Sequence, residues 1–130
     1  MRLVLDASVA VHLLVPGPLQ VPSRRGVLGA ELVSPSLVDT EVVSALARLE
    51  RSGAISTGEA DGAVDAWLDL PCERIPTTSL LRHIWHLRGR LRIADAHYVA
   101  LAVALSAPLL TADRRLASAV PAGTTVHLIG

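Results

Sequence analysis

The sequence predicts an α/β domain of three layers, α/β/α, built on a mostly parallel central sheet. Three observations carry that expectation. Short apolar runs such as Leu3-Val4-Leu5 and Leu109-Leu110 read as buried strands, segments with apolar residues at helical spacing lie between them, and the two kinds alternate along the chain. Strands that alternate with helices pair in parallel and need helices on both faces to cover them. With 130 residues the chain fits one domain, 1–130, large enough to bury a single core. A hydrophobic share of 51% against 18% charged residues leaves room for a second buried surface at a subunit or partner interface.

Each element follows in turn. Residues 2–6 form the first strand, and Ser8 is a fitting N-cap for a helix over 9–14. Pro16, Gly17, Pro18 and Pro22 impose a loop, a short helix starts at Arg24, and 31–34 is a second strand. A long helix opens at Ser34-Pro35 or Ser36 and ends near Gly53, with Pro35 at a tolerated first-turn position. Residues 57–70 are amphipathic, with Ala60, Val64, Trp67 and Leu68 inward. A strand over 72–76, a helix over 78–87 and a break at Gly89 lead to an alanine-rich helix from Ile93 or Ala94 to Ser106. The chain closes with a strand over 108–111, a short helix over 113–119 and a strand over 125–128.

Against this frame four acids stand out. Asp6 ends the first apolar run and Asp113 follows Leu109-Leu110-Thr111-Ala112. Glu41 falls on the helical line Leu37, Glu41, Ala45, Leu49, and Asp95 shares a face with Val99 and Ala102. Burying a carboxylate is costly unless positive charge meets it. Ligands of open parallel sheets bind beyond the carboxyl ends of the strands, where Asp6 and Asp113 lie, and the early helical turns bearing Glu41 and Asp95 can face the same crevice. One acidic pocket is the economical reading, and such a cluster repels itself unless cations bind. Oxygen ligands without Cys or nearby His favour Mg²⁺ or Mn²⁺, which suit phosphodiester hydrolysis. The plainer readings are helix capping for Asp6 and Asp113, a buried ion pair with an arginine for Glu41, and a capping or solvent role for Asp39.

Composition removes competing chemistries. The chain has no lysine, so a haloacid-dehalogenase-like phosphatase, a receiver domain and a P-loop are disfavoured, and no Gly-x-Gly-x-x-Gly follows the first strand. Net charge is zero, so attraction to nucleic acid must come from local clusters. Arg82, Arg88, Arg90 and Arg92 form one such cluster, which Arg114 and Arg115 extend; it is either a phosphate-binding edge for RNA or a solvated face. Trp67 and Trp85 sit on apolar helical faces, which favours packing over base stacking, and His97 should point away from the acids. The segment 15–25 borders the first acid as either a mobile cover or a plain connector. Cys72, the single cysteine, reads as a buried thiol and fits a reducing cytoplasm. Asp6 and His12 interrupt an otherwise signal-like start, and no apolar run is long enough to suggest a membrane span.

The motifs Leu3-Val4-Leu5-Asp6-Ala7-Ser8, Glu41-Val42 with Ala45-Leu46, Asp95-Ala96-His97-Tyr98-Val99-Ala100-Leu101-Ala102 and Leu110-Thr111-Ala112-Asp113-Arg114-Arg115-Leu116 resemble, in order and spacing, the PIN-domain family and its VapC-type toxins. That resemblance implies a Mg²⁺- or Mn²⁺-dependent endoribonuclease acting on structured RNA such as tRNA. It matches Asp6, Glu41, Asp95 and Asp113 to the family's acidic quartet, with Asp6 and Asp95 as the most direct metal ligands and Ser8 and Thr111 as polar neighbours. It also implies a homodimer and a cognate antitoxin whose tail occupies the toxin groove. The alternatives are a non-catalytic module of the same fold and another metal-dependent phosphatase or nuclease.

Overall fold

In a computed structural model covering Met1–Gly130, five strands form one sheet in the order β3-β2-β1-β4-β5. The strands are β1 (Arg2–Leu5), β2 (Glu31–Pro35), β3 (Glu73–Ile75), β4 (Leu109–Thr111) and β5 (Val126–Leu128), and every pairing is parallel. Seven helices connect them: α1 (Ala7–Leu14), α2 (Gln20–Val27), α3 (Val38–Arg51), α4 (Thr57–Asp69), α5 (Leu81–His86), α6 (Ile93–Leu105) and α7 (Arg114–Ala119), with a 3₁₀ turn at Thr78–Leu80 before α5. The strand order reverses at β1. Right-handed crossovers therefore put α1 to α4 on one face and α5, α6 and α7 on the other. Helices α1, α2, α3 and α4 contact one another, while α6 lies against β1, β2 and β4.

The apolar runs are buried as their composition requires. Leu3, Val4, Leu5, Leu109 and Leu110 sit within a core of 29 buried residues, together with Val38, Val42 and Leu46 of α3 and the run Tyr98 to Ala102 of α6. The register pairs Val4 with Leu109 and Leu5 with Leu110, so the carboxyl ends of β1 and β4 emerge side by side. Helix α3 ends at Arg51, and Gly53 at φ 79 turns the chain so that its N–H and that of Ala54 reach the carbonyls of Glu50 and Leu49. No helix is long and apolar enough to cross a membrane.

Five local expectations give way to the structure. Pro35 is the last residue of β2 and α3 begins at Val38, so the proline is not in a first helical turn. Ser8 lies inside α1 rather than capping it, because its hydroxyl is engaged elsewhere. Pro22 is the third residue of α2, where the missing N–H would have had no helical partner anyway, so the proline does not extend the loop. Leu68 is 73% exposed, and Ala63 takes the inward place in α4 beside Ala60 and Trp67. Trp85 is 54% exposed, with the Arg88 guanidinium 4.2 Å from its ring centre, and does not belong to the core.

Candidate active site

All four acids open onto one cleft of about 690 Å³ above the carboxyl ends of β1 and β4. Asp6 and Asp95 are buried, each at 6% exposure, whereas Glu41 and Asp113 are partly open to solvent. Asp6 leaves β1 at the N-cap position of α1, Glu41 and Asp95 come from the first turns of α3 and α6, and Asp113 is the N-cap of α7. Four separate elements thus deliver one carboxylate each.

Asp6 is held by two hydroxyls whose direction is fixed. Ser8 Oγ accepts from the Ala112 N–H at 3.0 Å and Thr111 Oγ1 from the Asp113 N–H at 3.0 Å, so both donate to Asp6 Oδ2, at 2.5 Å and 2.8 Å. Burial nonetheless pushes the Asp6 carboxyl above its ordinary pKa; the two hydroxyls counter this in part, and the charges of Glu41 and Asp95 add to it. Tyr98, wholly buried in α6, donates its hydroxyl to Glu41 Oε1 across 57 residues of sequence, and burial followed by that bond raises the phenol far above its usual range. Tyr98→Phe is expected to lower stability by about 1.5–3 kcal/mol, since it removes one hydrogen bond to a carboxylate acceptor. An unchanged denaturant midpoint would show that the bond carries no free energy.

The expected self-repulsion of the acids is met by the chain's own cations. Asp95 Oδ2 accepts from Arg92 Nε at 3.1 Å and from Arg115 Nη2 at 2.9 Å, and the same Nη2 lies 3.0 Å from Asp113 Oδ2. Asp113 Oδ1 also caps α7 through the Leu116 N–H at 3.1 Å. Arg92 and Arg115, expected on phosphates, are therefore bonded to carboxylates. The other arginines of the cluster lie off the acids: Arg88 and Arg90 donate to the carbonyls of Trp85 and Ala119, Arg114 donates to that of Gly130, and Arg82 borders a separate hollow with Trp85 and Ile93.

The donor set suits a hard divalent cation in one respect and leaves another open. Protein partners occupy only one oxygen each of Asp6, Glu41 and Asp95, so Asp6 Oδ1, Glu41 Oε2 and Asp95 Oδ1 receive no hydrogen bond from the chain. No three of the side chains close into a cage around one point as they stand. Mg²⁺ needs no such cage, because it keeps several waters and takes one or two carboxylates. The residues present fit the ion.

Sequence reasoning missed two members of the cleft. His12 lies one turn after Ser8 on α1, and burial lowers its pKa below the ordinary imidazole value; Arg48 lies one turn from Ala45 on the face of α3 that carries Glu41. The i, i+4 and i, i+3 spacings were the available signals. Val15, Pro16, Gly17 and Pro18 also line the cleft. Asp39 proves to be neither cap nor solvent residue: it accepts from Trp67 Nε1 at 2.7 Å and from Arg74 Nη2 at 2.9 Å, and the hydrogen bonds from Arg74 hold its carboxyl below the usual value. His97 faces away from the cleft, with Nδ1 2.8 Å from Thr77 Oγ1. Cys72 is half-buried, and burial raises its thiol pKa.

The chain matches known proteins along most of its length. Residues 3–120 match the family model described as PIN domain. Ribonuclease VapC3 of Mycobacterium tuberculosis is 38% identical over 130 residues, covering 99% of this chain and 93% of that protein, and Ribonuclease VapC1 of the same organism is 41% identical over 118 residues, covering 89% of each. The crystal structure of VapBC2 from Rickettsia felis, bound to a DNA fragment from its promoter, superposes with a TM-score of 0.71 at 13% identity over the full length of both chains, a likeness of fold. The chain belongs to the PIN domain family and, within it, to the group of the VapC ribonucleases.

Proposed function

We propose that this chain is a Mg²⁺- or Mn²⁺-dependent endoribonuclease, the toxin of a toxin–antitoxin pair, and that the acidic cleft is its active site. The observation that carries this reading is the convergence of Asp6, Glu41, Asp95 and Asp113 from four elements onto one cleft, three of them with an oxygen left free of protein partners. Asp6 and Asp95 would hold the metal most directly, with Glu41 and Asp113 acting through water or a second ion. When bound, the cation supplies Lewis acidity at the phosphoryl oxygen and a water activated for attack.

The chain's own groups do the positioning. Ser8 and Thr111 favour the ionised form of Asp6 against the effect of burial and leave its Oδ1 free of their bonds, Tyr98 fixes the rotamer of Glu41, and residues Val15 to Pro18 line the cleft. Arg82, Arg88, Arg90 and Arg114 would meet phosphates outside the cleft, and Arg92 and Arg115 at its mouth. Structured RNA such as tRNA, a homodimeric state, a cognate antitoxin and a cytoplasmic setting complete the reading, and they rest on membership of the VapC group.

Purified protein freed of any antitoxin should cut RNA with Mg²⁺ or Mn²⁺, and cleavage should stop on adding a chelator and return on adding excess metal. Cleavage that continues undiminished in chelator would overturn the metal mechanism.

A further inference from the structure

The positive charge that neutralises the acids in this structure comes from within the chain, and one residue supplies most of it. Arg115 Nη2 sits between two carboxylates, 2.9 Å from Asp95 Oδ2 and 3.0 Å from Asp113 Oδ2, at the first turn of α7, while its side chain stays half-exposed. Arg92 adds a third contact at 3.1 Å to the same Asp95 oxygen. A guanidinium bonded to Asp95 and Asp113 and a divalent cation held at Asp6 and Asp95 would draw on the same negative charge, so each would weaken the hold on the other.

We infer that Arg115 is the resident counter-cation of the cleft: it holds Asp95 and Asp113 while the metal is absent, competes with the metal for them, and is released when the ion binds. This rests on the metal-dependent reading proposed above. It assigns Arg115 a positioning role toward the acids that precedes any contact with RNA, and it makes metal affinity a compromise set by the chain itself. Arg92 is the lesser partner, since it touches one acid and is 70% exposed. The half-exposed side chain of Arg115 also gives the released guanidinium somewhere to go without breaking the core.

The test is calorimetric titration of Mn²⁺ into the full chain, without RNA, for wild type, Arg115→Ala, Arg115→Lys and Arg92→Ala. Arg115→Ala should bind Mn²⁺ tighter by about two- to fivefold, the range expected when a solvent-exposed ion-pair competitor is removed. Arg92→Ala should change affinity less, and Arg115→Lys, which keeps the charge but not the fork, should fall between wild type and Arg115→Ala. A merely structural Arg115 would alter thermal stability in the metal-free protein and leave Mn²⁺ affinity where it was. Equal affinities for wild type and Arg115→Ala, with binding measurable in both, overturn this inference and leave the metal-dependent reading intact. Absence of Mn²⁺ binding in every variant overturns both.

Discussion

Asp6→Asn is expected to lower RNA cleavage by on the order of 10³-fold while leaving the metal-free protein as stable as before or more so. The two effects separate because Asp6 is the acid that the fold accommodates least well. Its carboxylate is buried, neighbours Glu41 and Asp95, and has a raised pKa, so ionising it costs native-state free energy. The native state holds that proton to higher pH than the unfolded chain, whose carboxyl titrates near the ordinary value of 3.8. Its stabilising effect is therefore complete below about 3.8 and is lost as pH rises through the raised native value. An amide at position 6 still accepts from Ser8 and Thr111 and carries no charge, so melting curves of Asp6→Asn without metal should lose this decline. A mutant that unfolds at neutral pH would instead make Asp6 a structural anchor. Asp95→Asn should behave differently, because any relief it gives Asp6 is offset by weakening the bonds from Arg92 and Arg115.

The largest purely structural effect belongs to Trp67. It is 2% exposed in α4, its Nε1 donates to Asp39 of α3, and the Arg74 guanidinium of β3 lies 4.5 Å from its ring centre. Trp67→Ala should destabilise the chain by about 3–5 kcal/mol, a large part of what a domain of this size possesses. Asp39→Ala should cost far less, since its carboxylate is half-exposed and the pair is screened by solvent. Denaturant titrations of both variants decide the point. A loss for Trp67→Ala no greater than that for Asp39→Ala would mean that the hydrogen bond, and not burial of the ring, holds α4 against α3.

Trp67 also shows where a sequence stops being legible. Its inward position followed from helical spacing with Ala60, but the cluster it forms with Asp39 and Arg74 did not, because Asp39 lies 28 positions from Trp67 and 35 from Arg74. The alternation of elements and the parallel sheet were readable, since β1, β2 and β4 are apolar runs set between helical patterns, whereas the order of the strands was not. The four acids were readable for the opposite reason: each breaks an apolar pattern. What misled was chemistry with two local uses. Ser8 has the residue type of an N-cap, yet its hydroxyl is drawn to Asp6 and to the Ala112 N–H, 104 residues away. Arg92 and Arg115 have the look of phosphate contacts, and only the fold reveals that Asp95 reaches them first. Tyr98 gave a signal that went unused: three residues after Asp95 in α6, it lies on the side of the helix turned toward the cleft.

The bond from Thr111 to Asp6 spans 105 residues and joins the last residue of β4 to the residue that follows β1. Time enters here. On a ribosome the first acid is made almost at once, but the hydroxyl that orients it and the strand that walls it are among the last parts of the chain to appear. Contacts so distant in sequence form late and pay the full entropy of closing the intervening loop. A nascent chain that ends before β4 lacks both Thr111 and Asp113, so the four-acid cleft proposed as the active site is completed only when synthesis is nearly over.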